Sequence, residues 1–299
     1  MQVHLLDGTY ELFRAHFGRP PVSDPSGRPV GATVGLVESV LSLLREPGVT
    51  HLAAATDHVI RSWRNKRFAG YKTEAGMPPE LLAQFQLAED ALRAIGVRVW
   101  AMVEFEADDA LAAAAVRWAD DADVERVVIM SPDKDMTQCV REDGRVVVFD
   151  RRKREFFDAA AVTAKFGVPP ASIPDYLALV GDSADGYPGL QGWGARSAAA
   201  VLARYHHLED IPESVRQWDV AVRNAALLSL TLREHWQEAL LYRELATLRA
   251  DAPIDGALDD LRWRGVPREP FAQLVDRLGA KRLYGLVRSW APSVEPAPA

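Results

Sequence analysis

Apolar positions fall into two periods along the chain, and the change between them divides it. Up to about residue 167, short runs of buried type alternate with stretches of helical spacing. Residues 3–6, 51–56, 97–100 and 124–130 read as strands, with 146–149 as an added edge strand. Between them, Val34, Val37, Leu41 and Leu44 mark a helix over 33–44 that stops near Pro47 and Gly48. Leu81, Phe85, Ala88 and Leu92 mark another over 81–95, closed by Gly96, and an Ala-rich segment over 108–118 marks a third. Alternation of this kind predicts an α/β fold with a mostly parallel sheet covered on both faces. Past residue 168 the pattern is helical throughout, with helices expected over 173–180, 195–205, 215–230 and 236–248. The expected organisation is a sheet domain over 1–167, a helical domain over 168–290, and a Pro/Ala-rich disordered tail over 291–299.

Three aspartates, Asp7, Asp57 and Asp133, each follow a predicted strand. Ligands of parallel sheets bind beyond the carboxyl ends of the strands, although an Asp there can equally cap the next helix. Glu106, Asp108 and Asp109 crowd the start of the 108–118 helix, where an acidic first turn interacts favourably with the helix dipole. Asp133 and Asp135 are two residues apart and share a side of an extended segment. Asp182 and Asp185 follow the 173–180 helix. If these groups converge, their repulsion keeps several protonated near neutral pH unless divalent cations neutralise them. An all-oxygen ligand set selects hard ions, Mg²⁺ or Mn²⁺.

Composition then narrows the classes. The formal charge of −7 argues against a nucleic-acid binder, but nine of the 42 acids belong to this cluster, and 33 others face 35 Lys and Arg. Between His58 and Thr73 stand Arg61, Arg64, Lys66, Arg67 and Lys72 without an acid, and distribution decides here rather than the total. A lone Cys139 excludes an intramolecular disulfide and fits a reducing cytoplasm. The seven histidines lack zinc-ligand spacing. No apolar run approaches the roughly 20 residues of a membrane span, and the first residues lack the features of a signal peptide.

Taken in order, Leu-Leu-Asp-Gly at 5–8, Thr56 with Asp57, Gly-Tyr-Lys at 70–72, Phe-Glu-Ala-Asp-Asp at 105–109, Ser-Pro-Asp-Lys-Asp at 131–135, Ala-Leu-Val-Gly-Asp-Ser-Ala-Asp at 178–185 and Tyr-Pro-Gly-Leu-Gln-Gly-Trp-Gly at 187–194 resemble the bacterial and phage 5′-nuclease family. That family of 5′–3′ exonucleases and flap endonucleases includes the N-terminal nuclease domain of bacterial DNA polymerase I. The resemblance covers roughly residues 1–250 and implies a PIN-like sheet domain followed by a helix–three-turn–helix element. It assigns Asp7, Asp57, Glu106, Asp108 and Asp109 to a first metal ion. Asp133, Asp135, Asp182 and Asp185 go to a second, with Asp108 bridging. Lys72 would meet the scissile phosphate at the base of a short helical arch, since only residues 73–79 are left for an arch. Arg64 takes another phosphate-side position, and Phe13 and Tyr71 offer rings on which an unpaired base can stack. Gly189, Gly192 and Gly194, with Arg196 and Ser197 at the following helix start, would grip duplex DNA, with K⁺ held by loop carbonyls.

The family usually carries Asn at Gly186, an aliphatic residue at Tyr187 and Trp193, and Glu-Lys-Thr at 195–197. The resemblance implies a standalone, monomeric nuclease acting on DNA in the bacterial cytoplasm, at the nucleoid, in replication or repair. A PIN-type ribonuclease is the competing enzyme reading, and the 182–205 segment discriminates against it. A catalytically idle binder of branched DNA is the non-enzymatic one, opposed by the full set of acids.

Overall fold

The computed structural model describes residues 1–292, so most of the tail expected over 291–299 lies outside the described residues. Among the described residues six strands form one sheet in the order β3-β2-β1-β4-β5-β6: β1 (Gln2–Asp7), β2 (His51–Asp57), β3 (Arg98–Met102), β4 (Arg126–Met130), β5 (Val146–Asp150) and β6 (Glu155–Phe157). The first five are mutually parallel and only β6 runs antiparallel, against β5. Both faces are covered, and the period-2 alternation of side chains shows it. Val3, Leu5, Ala53, Ala55, Val127 and Ile129 enter one core, while Leu6, Leu52, Ala54, Val128 and Met130 enter the other. Strand order reverses between β1 and β4, and such a switch point opens a crevice at the strands' carboxyl ends.

Among the described residues twelve α-helices surround the sheet: α1 (Gly8–Phe17), α2 (Gly31–Leu43), α3 (Trp63–Arg67), α4 (Pro79–Leu82), α5 (Phe85–Ala94), α6 (Ala107–Ala119), α7 (Ala159–Phe166), α8 (Ile173–Val180), α9 (Ala195–Tyr205), α10 (Ala225–Glu234), α11 (Trp236–Ala246) and α12 (Arg268–Leu278). The core that contains α6 continues without a break into α8, α9 and α11. The other core takes residues from α2, α5 and α12. Among the described residues no helix is long and apolar enough to cross a membrane.

Three expectations need correction. The helix read over 81–95 is two, α4 and α5, because Gln84 turns its side chain inward and accepts from the Thr33 amide at 3.0 Å. The helix read over 215–230 begins only at Ala225. Before it, Asn224 adopts φ 58° and Trp218 donates its indole N–H to the Pro212 carbonyl at 2.7 Å. The segment expected as a short helical arch carries no helix between Lys72 and Pro79.

Candidate metal centre and nucleic-acid face

The ends of β1, β2 and β4 each deliver one acid to the crevice. Asp7 closes β1 and caps α1, accepting the Tyr10 amide at 2.8 Å on Oδ1, while its Oδ2 accepts from the Ser131 hydroxyl at 2.8 Å. Asp57 closes β2; its Oδ1 accepts from the Ala107 amide at 2.7 Å and so pins the start of α6 to the strand. Asp133 follows β4, and its Oδ1 accepts the Asp135 amide at 3.0 Å. Asp182 and Asp185 arrive on the turn after α8. Asp135, Asp182 and Asp185 each offer an oxygen within 4.8 Å of the other two. Asp7, Asp57, Asp108, Asp133 and Asp185 line one cleft of about 570 Å³ together with Thr9, Tyr10, Phe13, Lys72 and Lys134.

Electrostatics bears the mark of that crowding. Burial, reinforced by Asp57 and Asp133, raises Asp7 to about 7. Burial raises Asp57 to about 6 against the opposing pull of Lys72. Asp108 is pushed well above the ordinary carboxylate range by burial and then by Asp7 and Asp133. Asp135 is pushed likewise by burial, Asp133 and Asp185. Among the described residues, Asp135 Oδ1 is buried and finds no hydrogen-bond partner. An oxygen-only donor set with an orphaned buried oxygen and disfavoured negative charge fits hard divalent cations.

Lys72 stands between the two groups of acids. Its ammonium is 2.8 Å from Glu106 Oε2 and 3.1 Å from Asp185 Oδ1. Burial would lower the Lys72 pKa, but Glu106 and Asp185 outweigh it and hold it well above the usual value. The converse holds at Glu106, where burial is outweighed by Lys72 and Arg64 and the pKa is lowered. Asn65 fixes the backbone here, donating to the Lys72 carbonyl at 2.9 Å.

Three assignments do not fit this geometry. Arg64 is 1% exposed, and its guanidinium is enclosed within the protein, 3.4 Å from Glu106 Oε1. It donates to both oxygens of Asp109 at 2.8 Å, and to the Leu245 and Thr247 carbonyls. Asp109 is correspondingly filled as an acceptor, taking Arg64, the Trp63 indole N–H and the backbone amides of Glu106 and Arg249, which leaves no lone pair for a metal. Tyr71 is buried, its hydroxyl 3.3 Å from Glu106, so no base can stack on it. Phe13, by contrast, is half-buried on the cleft wall, edge-on to Phe85. Ser131, on Asp7, and Lys134, on Asp182, also belong to the site, without a pattern of their own in the sequence. Both sit inside the Ser-Pro-Asp-Lys-Asp segment, which was the available signal.

The glycine turn docks onto the end of α8. Leu190 donates to the Leu179 carbonyl at 2.9 Å. Gly189 adopts φ +71°, and a Cβ there would fall 2.4 Å from the Gly181 amide nitrogen. Gly192 also has a positive φ, and Gly194 caps α9 with Ser197, whose hydroxyl accepts the Gly194 amide at 3.0 Å. Arg196 is exposed on the first turn of α9, whereas Trp193 is buried against Trp218.

Comparison with known proteins agrees along the chain. Residues 2–167 match the family model described as 5′-3′ exonuclease, N-terminal resolvase-like domain, and residues 168–269 match 5′-3′ exonuclease, C-terminal SAM fold. The 5′-3′ exonuclease of Aquifex aeolicus is 30% identical over 282 residues, covering 94% of this chain and 93% of that protein. DNA polymerase I of Bacillus caldotenax is 32% identical over 281 residues, covering 92% of this chain; the chain spans 31% of the polymerase's length. T5 5′-exonuclease with bound zinc shares the fold at a TM-score of 0.64 and 16% identity, over 93% of this chain and 100% of that one. The catalytic core of Rad2 in complex with DNA substrate does so at 0.61 and 13%, over 96% and 90%.

Proposed function

The chain belongs to the 5′–3′ exonuclease family, and from that premise we propose that it hydrolyses phosphodiesters of flap, nicked or 5′-ended duplex DNA with two divalent ions, Mg²⁺ or Mn²⁺. One observation carries the reading: eight carboxylates converge at the strands' carboxyl ends, and several of them resist ionisation unless a cation is supplied. Asp7, Asp57, Glu106 and Asp108 are the ligands proposed for the first ion. Asp133, Asp135, Asp182 and Asp185 are those for the second, with Asp108 between them. Bound there, the ions would activate a water and stabilise the leaving oxygen.

The protein's own groups do the positioning. Lys72 supplies a fixed positive charge beside the reacting phosphate, worth most when the phosphoryl oxygens become more negative. Phe13 offers a ring at the cleft wall for an unpaired base. The 189–194 turn and the N-terminus of α9, with Arg196, hold the duplex through its phosphates, and K⁺ among the turn's carbonyls is part of the same proposal. On this reading residues 1–167 carry most of the chemistry, while 168–290 completes the second ion site with Asp182 and Asp185 and supplies the duplex grip, in a monomer working in the bacterial cytoplasm.

End-labelled flap, nicked and single-stranded DNA, each incubated with Mg²⁺ or with excess chelator, test the proposal. Cleavage should require the ion, and Asp108→Ala should abolish it while duplex binding persists. Undiminished cleavage in chelator would overturn the reading. Lys72→Ala should slow single-turnover cleavage roughly 10²–10³-fold with little change in a binding isotherm taken in Ca²⁺. A loss of affinity alone would make Lys72 a positioning residue.

A further inference from the structure

The Asp135, Asp182 and Asp185 triad already has a cation on it, and that cation is part of the chain. Asp182 Oδ1 is committed to the Ala184 amide at 2.9 Å. The other oxygen, Oδ2, carries the ammonium of Lys134. The two lysines of the cleft are not equivalent. Lys72 bridges Glu106 and Asp185 and has a side-chain exposure of 26%, whereas Lys134, among the described residues, forms an ion pair with Asp182 alone and is 36% exposed on the cleft wall. Lys134 also immediately precedes Asp135, so one turn delivers both a ligand and a positive charge to the same place.

A divalent ion and an ammonium both seek carboxylate oxygen, and two positive charges on one carboxylate repel each other. We infer that Lys134 is a built-in competitor for the second divalent ion. It balances the triad's charge through Asp182 and must leave that oxygen when the ion binds, which makes the second site the weaker of the two. Its long, partly exposed side chain gives the displaced ammonium a way out to solvent in the cleft. The inference rests on the two-ion reading above and concerns binding rather than turnover.

Mn²⁺ titrations of the full chain by calorimetry at constant pH, with thermal melting in chelator beside them, test it. The unaltered chain should bind two ions of unequal affinity. Lys134→Gln, which removes the charge and keeps a hydrogen-bonding group, should tighten the weaker event about tenfold or more and leave the tighter one in place. Lys134→Arg, which keeps the charge, should stay near the unaltered chain. In chelator the Gln variant should melt earlier, because the triad has lost one of its two counter-charges and keeps only Lys72 at Asp185, and a variant that folds only with Mn²⁺ would support the inference equally. An unchanged or weakened second event in Lys134→Gln would overturn the role of Lys134 while leaving two ions in place. A single event in the unaltered chain would instead remove the two-ion reading and this inference with it.

Discussion

Arg64 and Asp109 form a bidentate pair with side-chain exposures of 2% and 0%, and a charge stranded in such surroundings is costly. Arg64→Met should therefore destabilise the fold by about 3–5 kcal/mol, because Asp109 is left buried and unpaired. Urea unfolding measures this; an unaltered midpoint with impaired cleavage would return Arg64 to the phosphate. Sequence spacing could not separate Arg64 from Lys72, since both are cations in one acid-free stretch. What distinguishes them is that Arg64 meets carbonyls nearly two hundred residues away, a contact no local pattern encodes. The acids were legible because their chemistry clusters along the chain. Asp109 among them points into the protein, as the third residue of a helix whose start it caps.

Protonation adds a second expectation at this scale. Asp7 at about 7 and Asp57 at about 6 lie above the value of an exposed aspartate, about 3.9. The folded chain thus holds protons that the unfolded chain has released, and in chelator its stability should fall as pH rises from about 4 towards 7. Ion binding needs the ionised carboxylates, so apparent Mg²⁺ affinity should move the other way and increase through pH 6–7. Melting in chelator at pH 5 and pH 8 checks the sign. Higher stability at pH 8 would contradict it.

At the scale of elements, two loops clamp each other. The Lys72 amide donates to the Asp185 carbonyl at 2.9 Å. Gly186, at φ +89°, sits so close to the 70–72 segment that a Cβ would fall 2.3 Å from the Gly70 carbonyl oxygen. Asn is the residue the family usually carries here, so the conflict is tested with a bulkier, β-branched side chain, Gly186→Val. It should displace the segment that carries Lys72, slowing cleavage at least tenfold while the fold persists. Wild-type rates in that variant would show that the segment yields freely. Helices with sustained apolar spacing, such as α8, α9 and α11, were legible, as were strands β1 to β4; β5, expected at the edge, is instead covered by β6, which pairs antiparallel outside it. The 206–224 segment was not. Its course is set by Trp218 reaching back to Pro212 and by Asp219 holding Arg204 and Tyr205, which are tertiary choices that override local pattern.

Across the whole molecule, the sheet core runs unbroken into the helical half. Gln138 reinforces that junction by bonding both the Ala246 carbonyl and the Leu248 amide. Heating should therefore give one cooperative transition followed alike by tryptophan fluorescence and far-UV dichroism, and divalent ions should raise its midpoint. Two separated transitions would show that the halves melt apart. Strand order carries a different consequence, for the history of the chain rather than its final state. Leu5 pairs on one side with Ala53 and on the other with Ile129, so the central strand finds its first neighbour early in synthesis and its second much later. Until residues 126–130 emerge, β1 presents an open apolar edge of the kind that invites misassociation. Refolding should be slow for a chain of this size, limited by that long-range closure, and the vulnerable interval on the ribosome is the one in which α6 has formed but β4 has not.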